Sequence, residues 1–123
     1  MIGAGSMYVS MLDKNLNNIL NEVINDVKNL YKEKLKAIVL YGSYSRNQQD
    51  DESDIDILVL VDVDEPELKY YDKMLNSIIS DIGYRHKKVV SLIDLSYEKF
   101  NYWADVVPFY KNVKNEGIII YER

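Results

Sequence analysis

Asp54 and Asp56, in the stretch SDIDILVLV, are two carboxylates set two positions apart where a polar segment runs into an apolar one. In a strand, residues i and i+2 point to the same face about 6 to 7 Å apart, so the two acids project side by side. Such a pair repels itself and resists desolvation. Stability alone would not select it, and a positive charge is expected between the two. Magnesium prefers oxygen ligands and is commonly held by one or two carboxylates together with substrate phosphates. Two such ions about 3.5 to 4 Å apart activate the attacking oxygen and stabilise the leaving one in phosphoryl or nucleotidyl transfer. Asp54 and Asp56 are therefore the candidate metal ligands and catalytic acids.

Gly42 and Ser43 stand upstream, separated from Asp54 by ten residues. A Gly at the end of a strand lets the backbone approach a ligand closely, and the Ser hydroxyl with neighbouring N–H groups can cradle phosphate oxygens. Arg46 adds a guanidinium able to fork onto the same phosphates. These three are the candidate nucleotide-binding residues.

The elements that must hold these groups follow from the pattern of apolar residues. A Ser10/Asp13 capping box opens an amphipathic helix with Leu12, Leu16, Ile19, Leu20, Val23, Val27 and Leu30 at spacings of three and four, ending near Lys34. AIVLY, 37–41, is a short buried strand ended by Gly42. Residues 44–53 are polar and read as a loop or a short exposed turn, and 54–61 form the central strand. Asp64 and Glu67 open a second helix that stops at Gly83. The third strand is KVVSLIDL, 88–95. Ser96 caps a short helix holding Phe100 and Trp103, and Asp105 caps another with Pro108 in its first turn and Gly117 past its end. IIIY, 118–121, closes the sheet. The expected fold is α+β, a small mixed β-sheet flanked by helices. Residues 1–9 read as a flexible tail or an expression remnant, and 10–123 as one domain.

Bulk properties bound the possibilities. The 123 residues carry 15 Lys and Arg against 20 Asp and Glu, a formal charge of −5, which offers no broad surface for a nucleic-acid backbone. No cysteine is present, so disulfides, thiolate catalysis and cysteine zinc sites are excluded. No apolar run approaches a membrane span and the N-terminus lacks a secretory pattern, so no membrane association and a cytoplasmic location are expected. An EF-hand starting at Asp50 fails, because Ile55 stands where Gly is needed and Val61 where the bidentate Glu belongs. No Walker motif occurs. Asp50, Asp51 and Glu52 read as loop charges. His86, the one histidine, reads as an exposed residue before a strand, and Arg85, Lys87 and Lys88 as a solvated basic turn.

Taken together, Gly42-Ser43, ten intervening residues and Asp54-x-Asp56 entering an apolar strand closely resemble the signature of the DNA polymerase β-like nucleotidyltransferase superfamily. GSYSR with SDIDILV is similar to the minimal nucleotidyltransferase (MNT) group of antitoxin type, small domains paired with HEPN-domain toxins. The resemblance is specific over 37–62 and looser over the rest, including PFYKNVKNEGIIIY. It implies a polymerase β-like palm and a Mg2+-dependent transfer of NMP, in particular AMP, from an NTP such as ATP to an acceptor hydroxyl. In the paired members that acceptor is a tyrosine of the HEPN toxin. Gly42, Ser43 and Arg46 would hold the nucleotide, and Asp54 and Asp56 the metal.

Members usually supply a third carboxylate from the next strand, where this chain has Ser91. Asp94 is the candidate for that catalytic role, although three residues along an unbroken strand point it to the opposite face from Ser91. A bulge or the strand's end would be needed to bring it round; its other reading is a cap for the following helix. Asn47 replaces the small residue that often follows the Arg. The gap at Ser91 leaves an alternative in view, a non-catalytic nucleotide-binding or docking module that neutralises its partner by binding.

Overall fold

The computed structural model describes residues 14–46, 48–50 and 52–123. The Ser10/Asp13 capping box, Leu12, the N-terminal tail, Asn47 and Asp51 lie outside the described residues.

Helix α1, Lys14–Tyr31, buries Leu16, Ile19, Leu20, Val23 and Val27 along one stripe, as the three-and-four spacing requires. A 3-10 turn, Lys32–Lys34, ends it and leads into β1, Leu35–Tyr41. A second 3-10 turn, Gly42–Tyr44, and the polar loop connect β1 to β2, Ile55–Val61. Asp64 caps α2, Glu65–Leu68, by accepting from the Glu67 N–H, with a Pro in the first turn. A 3-10 turn, Lys69–Tyr71, separates α2 from α3, Asp72–His86. Strand β3, Val90–Ser96, is followed by α4, Tyr97–Trp103, α5, Pro108–Glu116, and β4, Ile118–Glu122.

The four strands lie in the order β3-β2-β1-β4. β1 runs antiparallel to both β2 and β4, while β2 and β3 are parallel. The sheet is thus mixed, as expected, with β2 inside. Both faces are covered, which is why β1 and β2 read as nearly continuous apolar runs. On one face α1 and α3 pack over Ile38, Leu40, Ile55, Ile57, Val59, Val61, Val90 and Leu92. On the other, α4 and α5 cover Ala37, Val39, Leu58 and Leu60 through Phe100, Ala104 and Val113. Among the described residues no helix is long and apolar enough to cross a membrane.

Three local expectations are corrected. The second helix is broken by the 3-10 turn and runs past Gly83 to His86, where Lys87 takes the left-handed conformation at φ 55°. Gly83 is needed for a close approach instead, since a Cβ there would lie 2.9 Å from the Lys88 carbonyl oxygen as the chain turns back. His86 is largely buried and its Nε2 meets Glu22 on α1, which also pairs with Arg85. Asp105 does not cap α5: Val107 occupies that position with no side-chain bond, and Asp105 pairs with Lys114 at 3.0 Å.

Candidate active site at the β1–β2 junction

Register brings the candidate residues together. Tyr41, the last residue of β1, lies opposite Asp56 in the antiparallel pair, and Ser91 lies beside Asp56 in the parallel pair. Paired residues of adjacent strands point to the same face, so Tyr41, Asp56 and Ser91 share the face covered by α4 and α5. Asp54 sits one residue before β2, exposed, and close enough that its charge acts on Asp56.

Gly42 turns the chain over this pair. Its φ is +74°, a conformation that L side chains rarely adopt. A Cβ at this position would overlap Oδ2 of Asp56 and stand 3.2 Å from its Cγ. The turn and the carboxylate are therefore in mutual contact, and no other residue type leaves Asp56 where it is. The Gly42 carbonyl accepts from the Ser45 hydroxyl at 2.8 Å and from the N–H groups of Ser45 and Arg46 at 3.1 and 3.3 Å, which fixes the turn. The Ser43 carbonyl accepts from the Gln48 N–H at 2.9 Å. Ser43 itself is half-buried.

Burial first, and then the neighbouring charge of Asp54, hold the Asp56 carboxyl above its ordinary range, with Arg46 opposing. An uncompensated negative site of this kind fits a cation. Two carboxylates offer hard oxygen donors, the number magnesium commonly takes from protein when substrate phosphates complete its shell. Among the described residues no three His, Cys, Asp or Glu side chains converge to hold a metal without such help.

Arg46 lies on the same side, its Nε on Gln48 at 3.2 Å and its Nη1 3.4 Å from Glu116 at the end of α5. Sequence reasoning missed Glu116, because a pairing 70 residues apart leaves no local signal. It also missed Tyr41, whose ring meets Phe109 edge-on with centroids 5.4 Å apart. Burial, and then the Asp56 charge, push the Tyr41 hydroxyl upward. The position immediately before Gly42 on the same strand was the available clue.

Asp94 is not brought to this site. β3 runs unbroken and in register with β2, so Asp94 falls beside Val59, on the face covered by α1 and α3. There its carboxylate accepts from the Tyr31 hydroxyl at 2.7 Å. Burial raises its pKa, with Tyr31 opposing, and burial, then the same contact, push the Tyr31 phenol far up. Asp94 does not cap α4 either; Ser96 does, accepting from the Lys99 N–H at 3.3 Å.

A family model described as nucleotidyltransferase domain matches residues 20–121. Two proteins of Methanocaldococcus jannaschii carry the name "Putative protein adenylyltransferase". MJ0604 is 34% identical over 94 residues, covering 76% of this chain and 86% of its own. MJ0141 is 36% identical over 87 residues, covering 63% and 84%. Among solved structures, a toxin-antitoxin with AMP-PNP superposes with a TM-score of 0.56 at 22% identity, over 84% of this chain and 73% of that one. A variant of the toxin-antitoxin MntA-HpeT gives 0.55 at 21%, with the same coverage. These two likenesses concern the fold. The family match spans β1, the Gly42 turn and β2 with its acids, and the chain belongs to the nucleotidyltransferase domain family, whose enzyme class is nucleotidyl transfer.

Proposed function

We propose that the protein transfers AMP from ATP to a hydroxyl of a partner protein, with magnesium held by Asp54 and Asp56. The observation that carries this reading is the contact of the Gly42 turn with Asp56, which sets a bare backbone turn beside two carboxylates at the end of the sheet. Gly42 and Ser43 receive the triphosphate where the backbone leaves room. Arg46 swings from Glu116 to the phosphates, exchanging a long, exposed ion pair for charge-assisted bonds. When bound, magnesium neutralises the phosphate charge and polarises the α-phosphorus toward attack. The acceptor oxygen forms the new bond to that phosphorus, the bond to the β-phosphate oxygen breaks, and pyrophosphate leaves.

Ser91 bears on the acceptor. It occupies the position beside Asp56 where a third carboxylate would take the acceptor's proton, and a hydroxyl cannot do that work. A phenol, with a pKa of about 10, gives up its proton to water far more readily than an aliphatic alcohol. A tyrosine acceptor therefore suits this site best. The relatives named "Putative protein adenylyltransferase" and the toxin-antitoxin complex with AMP-PNP support an acceptor on a partner protein and an antitoxin role, and the resemblance in sequence makes that partner a HEPN-type toxin.

The same serine favours a second reading, in which the domain binds nucleotide and neutralises its partner by docking alone. Incubation with α-labelled ATP, magnesium and the partner separates the two. Label on a partner tyrosine is expected, and a partner neutralised without label would overturn transfer.

A further inference from the structure

β3 is an edge strand, and its open side lies next to the site. The Ile55 N–H donates to the Val89 carbonyl at 2.9 Å. In a parallel ladder this phase turns the N–H and C=O groups of residues 91, 93 and 95 toward β2, and those of Val90 and Leu92 outward. Among the described residues no strand pairs with that side. Exposed apolar side chains flank it, Val89 at 62% and Ile93 at 40% of full exposure. An unprotected edge of this kind is a template for an added strand. The stretch of that edge beside Asp56 runs through Val90 and Leu92, on either side of Ser91.

Resting on the transfer reading above, we infer that the β3 edge at Val90 and Leu92 docks the acceptor. An extended segment of the partner adds there as an antiparallel fifth strand and sets its tyrosine opposite Ser91. The residues flanking that tyrosine exchange main-chain hydrogen bonds with Val90 and Leu92. The tyrosine then falls in the non-hydrogen-bonded pair with Ser91, where side chains approach most closely. It points to the face shared by Ser91 and Asp56. Adjacent strands are about 4.8 Å apart, so the ring reaches over one small serine to arrive above Asp56. The edge thus selects an extended, β-prone acceptor sequence and not a helical one. The phenol oxygen bonds to the α-phosphorus, its proton passes to water, and pyrophosphate leaves.

The test uses the whole chain with magnesium, α-labelled ATP and two peptides at millimolar concentration. One is acetyl-Thr-Val-Tyr-Val-Thr-amide, and the other carries N-methyl groups on both valines, which removes the pairing donors. Amide exchange at Val90 and Leu92 and label on the peptide are read together, with AMP-PNP affinity measured separately. The first peptide is expected to slow exchange of both amides at least tenfold and to take up AMP at least ten times faster than the methylated one. Equal labelling of the two peptides, or no protection of the amides, overturns the docking mode. So does protection that appears without peptide and grows with protein concentration, which would assign the edge to a second copy of the chain. Protection by the first peptide without label upholds the docking and counts against the transfer reading alone.

Discussion

Ser91→Asp places a third carboxylate in register with Asp56 on the same face, one strand away. With strands about 4.8 Å apart the two carboxylates come to roughly 5 to 6 Å, and at an effective dielectric of 20 full ionisation would cost about 3 kcal/mol. Asp56 and residue 91 are half exposed, and solvent reduces that to about 1 to 2 kcal/mol. For a chain of this size the metal-free variant should melt roughly 3 to 10 °C below the parent. Magnesium reverses the sign, because a repelling acid becomes a ligand, so the magnesium-induced rise in melting temperature should be larger in the variant. Transfer to a tyrosine acceptor should rise, by at most the roughly 100-fold to 10,000-fold that a placed general base supplies. Thermal melts with and without magnesium and single-turnover labelling measure all three. An unchanged metal-free melting temperature with the parent's magnesium response would refute the placement of residue 91 beside the acid pair.

Gly42→Ala should cost about 1 to 2 kcal/mol for the left-handed backbone alone and lower AMP-PNP affinity at least tenfold, because the new Cβ evicts the Asp56 carboxylate; affinity measurement on the folded variant checks it. Tyr31→Phe removes the donor to Asp94 and should cost about 1 to 3 kcal/mol in urea unfolding, while leaving nucleotide affinity within twofold, since that pair lies on the far face of the sheet; a collapse of affinity would contradict the face assignment. Burial and Asp54 raise the Asp56 pKa in the folded state, so the group's contribution is full below the unfolded carboxylate value of about 3.9 and lost as pH rises through the folded value. Metal-free stability should accordingly decline as pH climbs out of the carboxylate range, and Asp56→Asn should flatten that decline in a pH series of melts.

Much of the frame was legible because its signals are local. Both faces of β2 are covered, so 54–61 is apolar almost throughout, and the strand is found at Ile55–Val61. The Asp64–Glu67 cap, read from residues three apart, and the Ser96 cap are both present. Parity along an unbroken strand put Ser91 and Asp94 on opposite faces, and the register bears that out. What escaped depends on contacts across the chain. Gly83 has the appearance of a helix stop, yet it serves the return of Lys88 past the helix. His86 meets Glu22 from 64 residues away, and Arg46 meets Glu116 from 70. The same holds at the site, where Tyr41 joins Asp56 through strand register and Phe109 through a helix that no local pattern ties to it.

The central claim is that Asp54, Asp56 and the Gly42-Ser43 turn form one metal and triphosphate site. Titration of AMP-PNP into the parent and into the Asp54→Asn, Asp56→Asn double variant, with and without magnesium, tests it most directly. Binding is predicted for the parent with magnesium, with at least a hundredfold loss on chelation or in the folded double variant. Equal affinity in the double variant, or in the parent without metal, would contradict the account.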